Sequence, residues 1–181
     1  KKNWVLINLW ISLYNRKDRS LHFYRKFGQS TAENLKGAWR SMRYEGTVYR
    51  PPSEAGSLII QLTIGCARNT CTFCNMYKDK KFRIRPLEEV VEDLEMARSY
   101  YSRIKVRRIF LADGDALIVK TEDLLYIIAK CKEIFPEVER ISVYGAPKDI
   151  LHKTPEELAA LKAAGLDMVY MGLESGADEV L

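Results

Sequence analysis

Three of the four cysteines fall within nine residues, in the stretch Thr63-Ile64-Gly65-Cys66-Ala67-Arg68-Asn69-Thr70-Cys71-Thr72-Phe73-Cys74. Thiolates crowded at Cys-x4-Cys-x2-Cys spacing bind a soft metal centre if they bind anything. Zinc would need a fourth ligand, usually from a second Cys-x2-Cys or a His pair. No such partner stands at finger-like spacing. The two histidines are His22 and His152, and Cys131 lies on the apolar side of a helical pattern, where a free Cys is ordinarily a small core residue. An electron-transfer ferredoxin would also need four thiolates. A [4Fe-4S] cube held by three leaves one iron without a protein ligand, and an open coordination position is what catalysis requires. The reading from a different class makes Cys66, Cys71 and Cys74 a zinc site that stiffens a loop used for RNA or protein contact.

The cysteines follow directly on an apolar run, Ser57 to Thr63, that reads as a buried strand after Pro51, Pro52 and Gly56. A helix is expected from Leu87 to Ile104, with Pro86 before it and Glu88, Glu89, Glu92 and Asp93 near its positive N-terminal end. Arg108–Ala112 forms a second strand. Thr121 then caps a helix with Leu124, Leu125, Ile127, Ile128, Cys131 and Ile134 on its apolar side. Arg140–Tyr144 is a third strand. The next helix has Thr154 as N-cap, Pro155 at its first position, Glu157 completing a capping box and Gly165 as the stop. Met168–Gly172 is the fourth strand. Strands without polar alternation, separated by single helices, imply a parallel sheet covered by helices. An open doubly wound sheet and a (β/α) barrel both fit, and both bind ligands at the C-terminal ends of their strands, where the cysteines lie. The chain stops at Leu181, just after Ser175-Gly176 would open another helix, so a fragment lacking further βα units is expected.

The cysteine loop resembles that of the radical S-adenosylmethionine (radical SAM) superfamily, whose usual spacing is Cys-x3-Cys-x2-Cys with an aromatic residue before the last Cys. Phe73 holds that place, and one extra residue separates Cys66 from Cys71. Ala112-Asp113-Gly114-Asp115-Ala116 stands where the family has a Gly-Gly-Glu type segment that receives the methionyl amino group. Asp113 and Gly114 replace the glycine pair, and Asp115 stands for the acid. An acid beside a glycine suits a bound ammonium, although the same residues also make an ordinary βα turn. Gly172-Leu173-Glu174-Ser175-Gly176 resembles the family's Gly-Leu-Glu-Ser-Gly segment. That likeness implies Glu174 and Ser175 as contacts to the ribose or methionine part of SAM; the plain alternative is an acidic helix start capped by Ser175. Ser142 and Tyr144 end the third strand near the same mouth, as contacts or as filler.

The resemblance covers residues 44–181 and is nearest to members related to oxygen-independent coproporphyrinogen oxidase and elongator-type tRNA-modifying enzymes. It implies an α/β partial TIM barrel, (β/α)6, of which this chain supplies the first four units. It also implies a [4Fe-4S] cluster on Cys66, Cys71 and Cys74, with S-adenosyl-L-methionine as the second cofactor. A one-electron donor such as flavodoxin or ferredoxin would serve the reductive cleavage of SAM to a 5′-deoxyadenosyl radical, which abstracts hydrogen from an unknown substrate.

The chain of 181 residues carries a net charge of +5, but that charge is not uniform. Residues 1–50 hold 11 Lys+Arg against 3 Asp+Glu, leaving 18 against 21 for the rest, so a nucleic-acid partner is not indicated for the core. Residues 1–41 form a basic extension that precedes the first Met, Met42, which is the expected natural start of a core domain spanning 42–181. The apolar stretch Trp4–Tyr14 is shorter than the ~20 residues a membrane helix needs and lacks a small-residue cleavage site after it. A cytoplasmic, reducing location without membrane attachment is the expectation. Lys78, Lys80, Lys81, Arg83 and Arg85 form a basic run that would either meet an anionic substrate or lie as a solvated loop. No Walker motif or GxGxxG is present.

Overall fold

The computed structural model describes residues 43–172; residues 1–42, with Met42, and 173–181, with Glu174 and Ser175, lie outside the described residues. Four apolar runs become parallel strands: β1 (Leu58–Gln61), β4 (Arg108–Ala112), β5 (Arg140–Tyr144) and β6 (Leu166–Tyr170). They pair in sequence order, β1-β4-β5-β6, with Ile59 opposite Phe110 and Phe110 opposite Ser142. Between them run α1 (Leu87–Tyr100), α2 (Thr121–Ile134), the short α3 (Pro147–His152) and α4 (Pro155–Ala164).

The order of the strands and the side taken by the helices settle the choice between open sheet and barrel. Leu58, Ile60, Ile109, Leu111, Ile141 and Val143 share one core with Val90 and Leu94 of α1, Leu124, Ile127 and Cys131 of α2, and Leu161 of α4. All three longer helices therefore cover the same face, and strand neighbours follow chain order without reversal, which is the arrangement of a (β/α) barrel arc and not of a doubly wound sheet. The opposite face carries Ile59, Phe110 and Ala112, packed with Val48, Tyr144 and Tyr170. Phe110 meets Tyr144 edge-on at 4.9 Å between ring centroids.

The punctuation of α4 is as expected. Glu157 donates its backbone N–H to Thr154 Oγ1 at 3.2 Å, and Thr154 N–H returns to Glu157 Oε2 at 2.8 Å. Gly165 ends the helix at φ 110°, and β6 begins at the next residue, two positions ahead of the expected Met168–Gly172. Other elements differ from expectation: the run Ser57–Thr63 yields a strand that stops at Gln61, with Thr63 opening a separate short strand. Lys120, not Thr121, occupies the N-cap of α2; α1 stops at Tyr100, four residues short; and α3 has six residues, too few for a periodic pattern to show.

On the inner face, the single turn Pro52–Glu54 places Glu54 wholly inside. Its Oε1 accepts from Arg140 Nη2 at 2.9 Å, Ser142 Oγ at 3.0 Å and Tyr170 Oη at 2.7 Å, and Ser57 Oγ donates to its Oε2. This network ties the segment before β1 to β5 and β6. The segment from Arg43 is fastened along β1: Tyr44 Oη donates to Ile59 O at 2.8 Å, and Glu45 N–H to Gln61 Oε1 at 2.8 Å.

Candidate functional site

The cysteines sit on a loop whose two ends are clamped together. β2 (Thr63–Ile64) and β3 (Arg83–Ile84) pair antiparallel, so residues 65–82 leave and rejoin the barrel at one place. Inside that loop the extra residue of the Cys-x4-Cys spacing is taken up by a turn. Asn69 N–H donates to Cys66 O at 3.3 Å, and the Asn69 amide crosses the loop to Tyr77 O at 2.7 Å and Lys80 O at 3.2 Å. Lys78 Nζ closes the turn on Asn69 O at 2.8 Å. An Asn can bind backbone in this way because its short amide carries both donors and an acceptor.

Cys66, Cys71 and Cys74 are free and half-buried, while Phe73 between the last two is 66% exposed. Burial pushes the Cys66 thiol above its ordinary range, with the Asp115 charge adding to the rise. Such a thiol is a poor free nucleophile; it gives a thiolate when a metal replaces its proton. Among the described residues no three His, Cys, Asp or Glu side chains are drawn together as they would be around an ion. The donor set itself fits a soft cluster: three unpaired thiols on one clamped loop, at the C-terminal edge of a parallel sheet.

The second loop of the site follows β4, the strand next to β1. Gly114 N–H donates to Gly65 O at 3.1 Å, joining this loop to the residue before Cys66. A Cβ on Gly114 would stand 2.5 Å from Tyr77 Cε2 and 3.0 Å from Cys66 Cβ, so the absence of a side chain lets the two loops touch. Asp113 is wholly buried, its Oδ2 accepting from Lys80 Nζ at 2.9 Å, Gly65 N–H at 3.0 Å and Gln61 Nε2 at 3.1 Å. Asp115 Oδ1 accepts from Ala146 N–H at 3.3 Å, and Asp149 Oδ2 accepts from the same N–H at 3.1 Å. Burial, and then the hydrogen bond and charge of Asp149, push the Asp115 carboxyl up to about 7.

Cys66, Gly114 and Asp115 are thus brought together, with Asp113 directly behind them. Ser142 stands apart: it is buried on the inner face with its hydroxyl on Glu54. Tyr144 is half-buried among Phe110 and Tyr170, and burial raises its phenol. Glu174 and Ser175 lie outside the described residues.

The basic run follows neither expectation as a whole. Lys80 and Arg85 are interior residues: Arg85 Nη1 binds Asp93 Oδ2 at 2.6 Å and Gln61 O at 2.9 Å, so neither cation is offered to solvent. Arg83 pairs with Glu45. The residues at the site that the sequence did not single out are Asn69, Tyr77 and Asp149, and Lys80 was read only as part of the basic run. For Asn69 a signal existed, a turn-forming residue in the over-long spacing.

A parallel strand arc thus carries a three-cysteine loop after its first strand, next to an acidic Gly-containing loop after the following one. The family model of the radical SAM superfamily matches residues 60–181, and the chain belongs to that superfamily of enzymes. The chain is also 27% identical over 133 residues to a protein of Methanocaldococcus jannaschii named "Putative methylthiotransferase MJ0865". The match covers 69% of this chain and 28% of that relative's length. No solved structure matches. Among the described residues no helix is long and apolar enough to cross a membrane.

Proposed function

We propose that Cys66, Cys71 and Cys74 hold a [4Fe-4S] cluster, and that the adjoining loop binds the amino acid end of S-adenosylmethionine, so that the protein cleaves SAM reductively and abstracts hydrogen from its substrate. The contact that supports this reading is Gly114 against Cys66: the loop suited to an ammonium group touches the loop suited to a metal, in the register the chemistry needs. Bound together, cluster and SAM supply one-electron cleavage of the sulfonium, with a flavodoxin- or ferredoxin-like protein as electron source. The chain's own part is binding, orientation and exclusion of water.

Asp115 would accept from the methionyl ammonium, beside the half-buried Gly114. Asp113 would act from behind, by fixing that backbone. Phe73, the most exposed of the large apolar residues in the loop, would cover the cofactor once bound. Glu174 and Ser175 would meet its ribose or methionine part. Ser142 is given no part, because its hydroxyl is held by Glu54. The relative's name would place the reaction among transfers of a methylthio group. The protein would work in the cytoplasm, where thiols stay reduced.

The test is anaerobic reconstitution with iron and sulfide, followed by dithionite and SAM. A brown protein that releases 5′-deoxyadenosine and methionine is the expected result. Stoichiometric zinc with no labile sulfide would establish the loop-stiffening zinc module in its place.

A further inference from the structure

A buried cation stands behind the proposed cofactor loop. The Lys80 side chain is 5% exposed and the Asp113 side chain 0%. Lys80 Nζ makes two bonds, to Asp113 Oδ2 at 2.9 Å and to Thr47 O at 2.6 Å. Its stem passes between two glycines that are both left-handed: Gly46 at φ 65°, where a Cβ would lie 2.8 Å from Lys80 Cε, and Gly65 at φ 75°, where it would lie 3.2 Å from Lys80 Cβ. The ammonium also faces the Tyr77 ring at 5.5 Å. Asp113 hands the constraint on, since the same Oδ2 takes the N–H of Gly65, the residue before Cys66. Its other oxygen, Oδ1, is buried with no hydrogen-bond partner among the described residues. A buried carboxylate in that condition depends on its one cation.

We propose that Lys80 is a positioning residue for S-adenosylmethionine, a latch that joins the segment around Thr47, the cysteine loop and the Asp113-Gly114-Asp115 loop into one rigid unit. The inference rests on the proposed function and adds to it a dependence of SAM binding on the segment before β1. Lys80 touches none of the reacting atoms; it acts through Asp113 on the backbone of Gly65 and Gly114. Asp113 replaces a glycine of the family's usual pair, so this carboxylate brings with it a need for a buried cation that a Gly-Gly loop would not have.

The test uses Lys80→Met, Lys80→Arg, Asp113→Asn and the double variant Lys80→Met/Asp113→Asn, each reconstituted anaerobically. SAM affinity and the SAM-induced change in the EPR spectrum of the reduced cluster are measured alongside iron content and thermal midpoint. Lys80→Met is expected to weaken SAM binding at least tenfold, with partial rescue in Lys80→Arg. The double variant removes the stranded charge, so its midpoint recovers while SAM affinity does not; a merely structural ion pair would recover both together. Wild-type SAM affinity and spectrum in the double variant would overturn the latch. Hydrogen exchange on the cluster-free protein gives a second readout. Lys80→Met is expected to expose the amides of Gly65, Cys66 and Gly114 at least tenfold faster while α2 and α4 keep their protection. Equal acceleration everywhere, or none, would overturn the proposal. A wild-type protein that fails to take up iron and sulfide refutes the proposed function itself, and the exchange result then still decides whether Lys80 fixes the two loops.

Discussion

Gly114→Ala tests the contact on which the site depends. The new Cβ would lie 2.5 and 2.8 Å from two carbons of the Tyr77 ring and 3.0 Å from Cys66 Cβ. Carbon atoms in good contact stand about 3.5–4.0 Å apart, so the ring or the loop must move by about 1 Å. Neither is free to do so. Tyr77 is buried with Tyr49 edge-on at 5.4 Å, and Gly114 is held by its N–H bond to Gly65 O. Overpacking of a well-fitted interior costs about 1–3 kcal/mol, and with both sides held the upper figure applies, about 3 kcal/mol. For a chain of this size that corresponds to a fall of roughly 6–12 °C in the midpoint. Circular dichroism melts of the cluster-free protein measure the fall, and iron and sulfide analysis after reconstitution measures displacement of the cysteine loop. In a Tyr77→Leu background the obstructing ring carbons are gone, and the added methyl should cost much less, giving a clear coupling between the two positions. A Gly114→Ala protein that melts within about 2 °C of wild type and binds a full cluster would refute the reasoning, since the measured contacts would then carry no constraint.

Other consequences follow from the same arrangement. Cys66→Ala, Cys71→Ala and Cys74→Ala should each abolish SAM cleavage, whereas Cys131→Ala should keep the cluster, because Cys131 lies in the core of α2 with its thiol pushed up to about 12 by burial; visible absorption after reconstitution decides. Asp115, raised in the fold to about 7 from an ordinary 3.8, binds more protons folded than unfolded between those values. Its contribution is therefore complete only below pH 3.8 and is lost as pH rises through about 7. Asp115→Asn, which mimics the protonated form, should be the more stable protein at pH 8 and lose that advantage near pH 4 in urea titrations. Glu54 behaves oppositely: burial alone would raise its carboxyl, but the hydrogen bonds of Ser57, Tyr170 and Ser142 and the charge of Arg140 hold it below the ordinary value. Its stabilising effect is present above the unfolded pKa and lost as pH falls through the folded one, so Glu54→Gln should lower the midpoint at pH 7 and flatten the acid side of the stability profile.

What could be read from the residues, and what could not, divides along a physical line. The strands were legible because parallel strands covered on both faces need continuous apolar runs such as Arg108–Ala112, and α4 was legible because a capping box and a C-terminal glycine act within a few residues of each other. The three cysteines of the candidate site could be picked out for the same reason, since they lie on one loop. The hidden features are pairwise and distant. Lys80 and Arg85 read as surface charges, since an isolated cation belongs in water. Each is interior because a carboxylate is interior beside it: Asp113 for Lys80, 33 residues away, and Asp93 for Arg85, 8 residues away. Ser142 shows the same limit from the other side. Alternation along β5 places it on the inner face, but its hydroxyl is directed by Glu54, 88 positions earlier, and not by the cofactor mouth. Burial of a charge is a property of two residues at once, and no periodicity in one segment can report it. Asp113 would be an ordinary turn acid if Lys80 were absent, and Lys80 an ordinary loop lysine if Asp113 were glycine. Together they tie the loop behind the cysteines to the segment around Thr47, so the two interior cations of a stretch that looks like a basic substrate patch, Lys80 and Arg85, are used inside the fold.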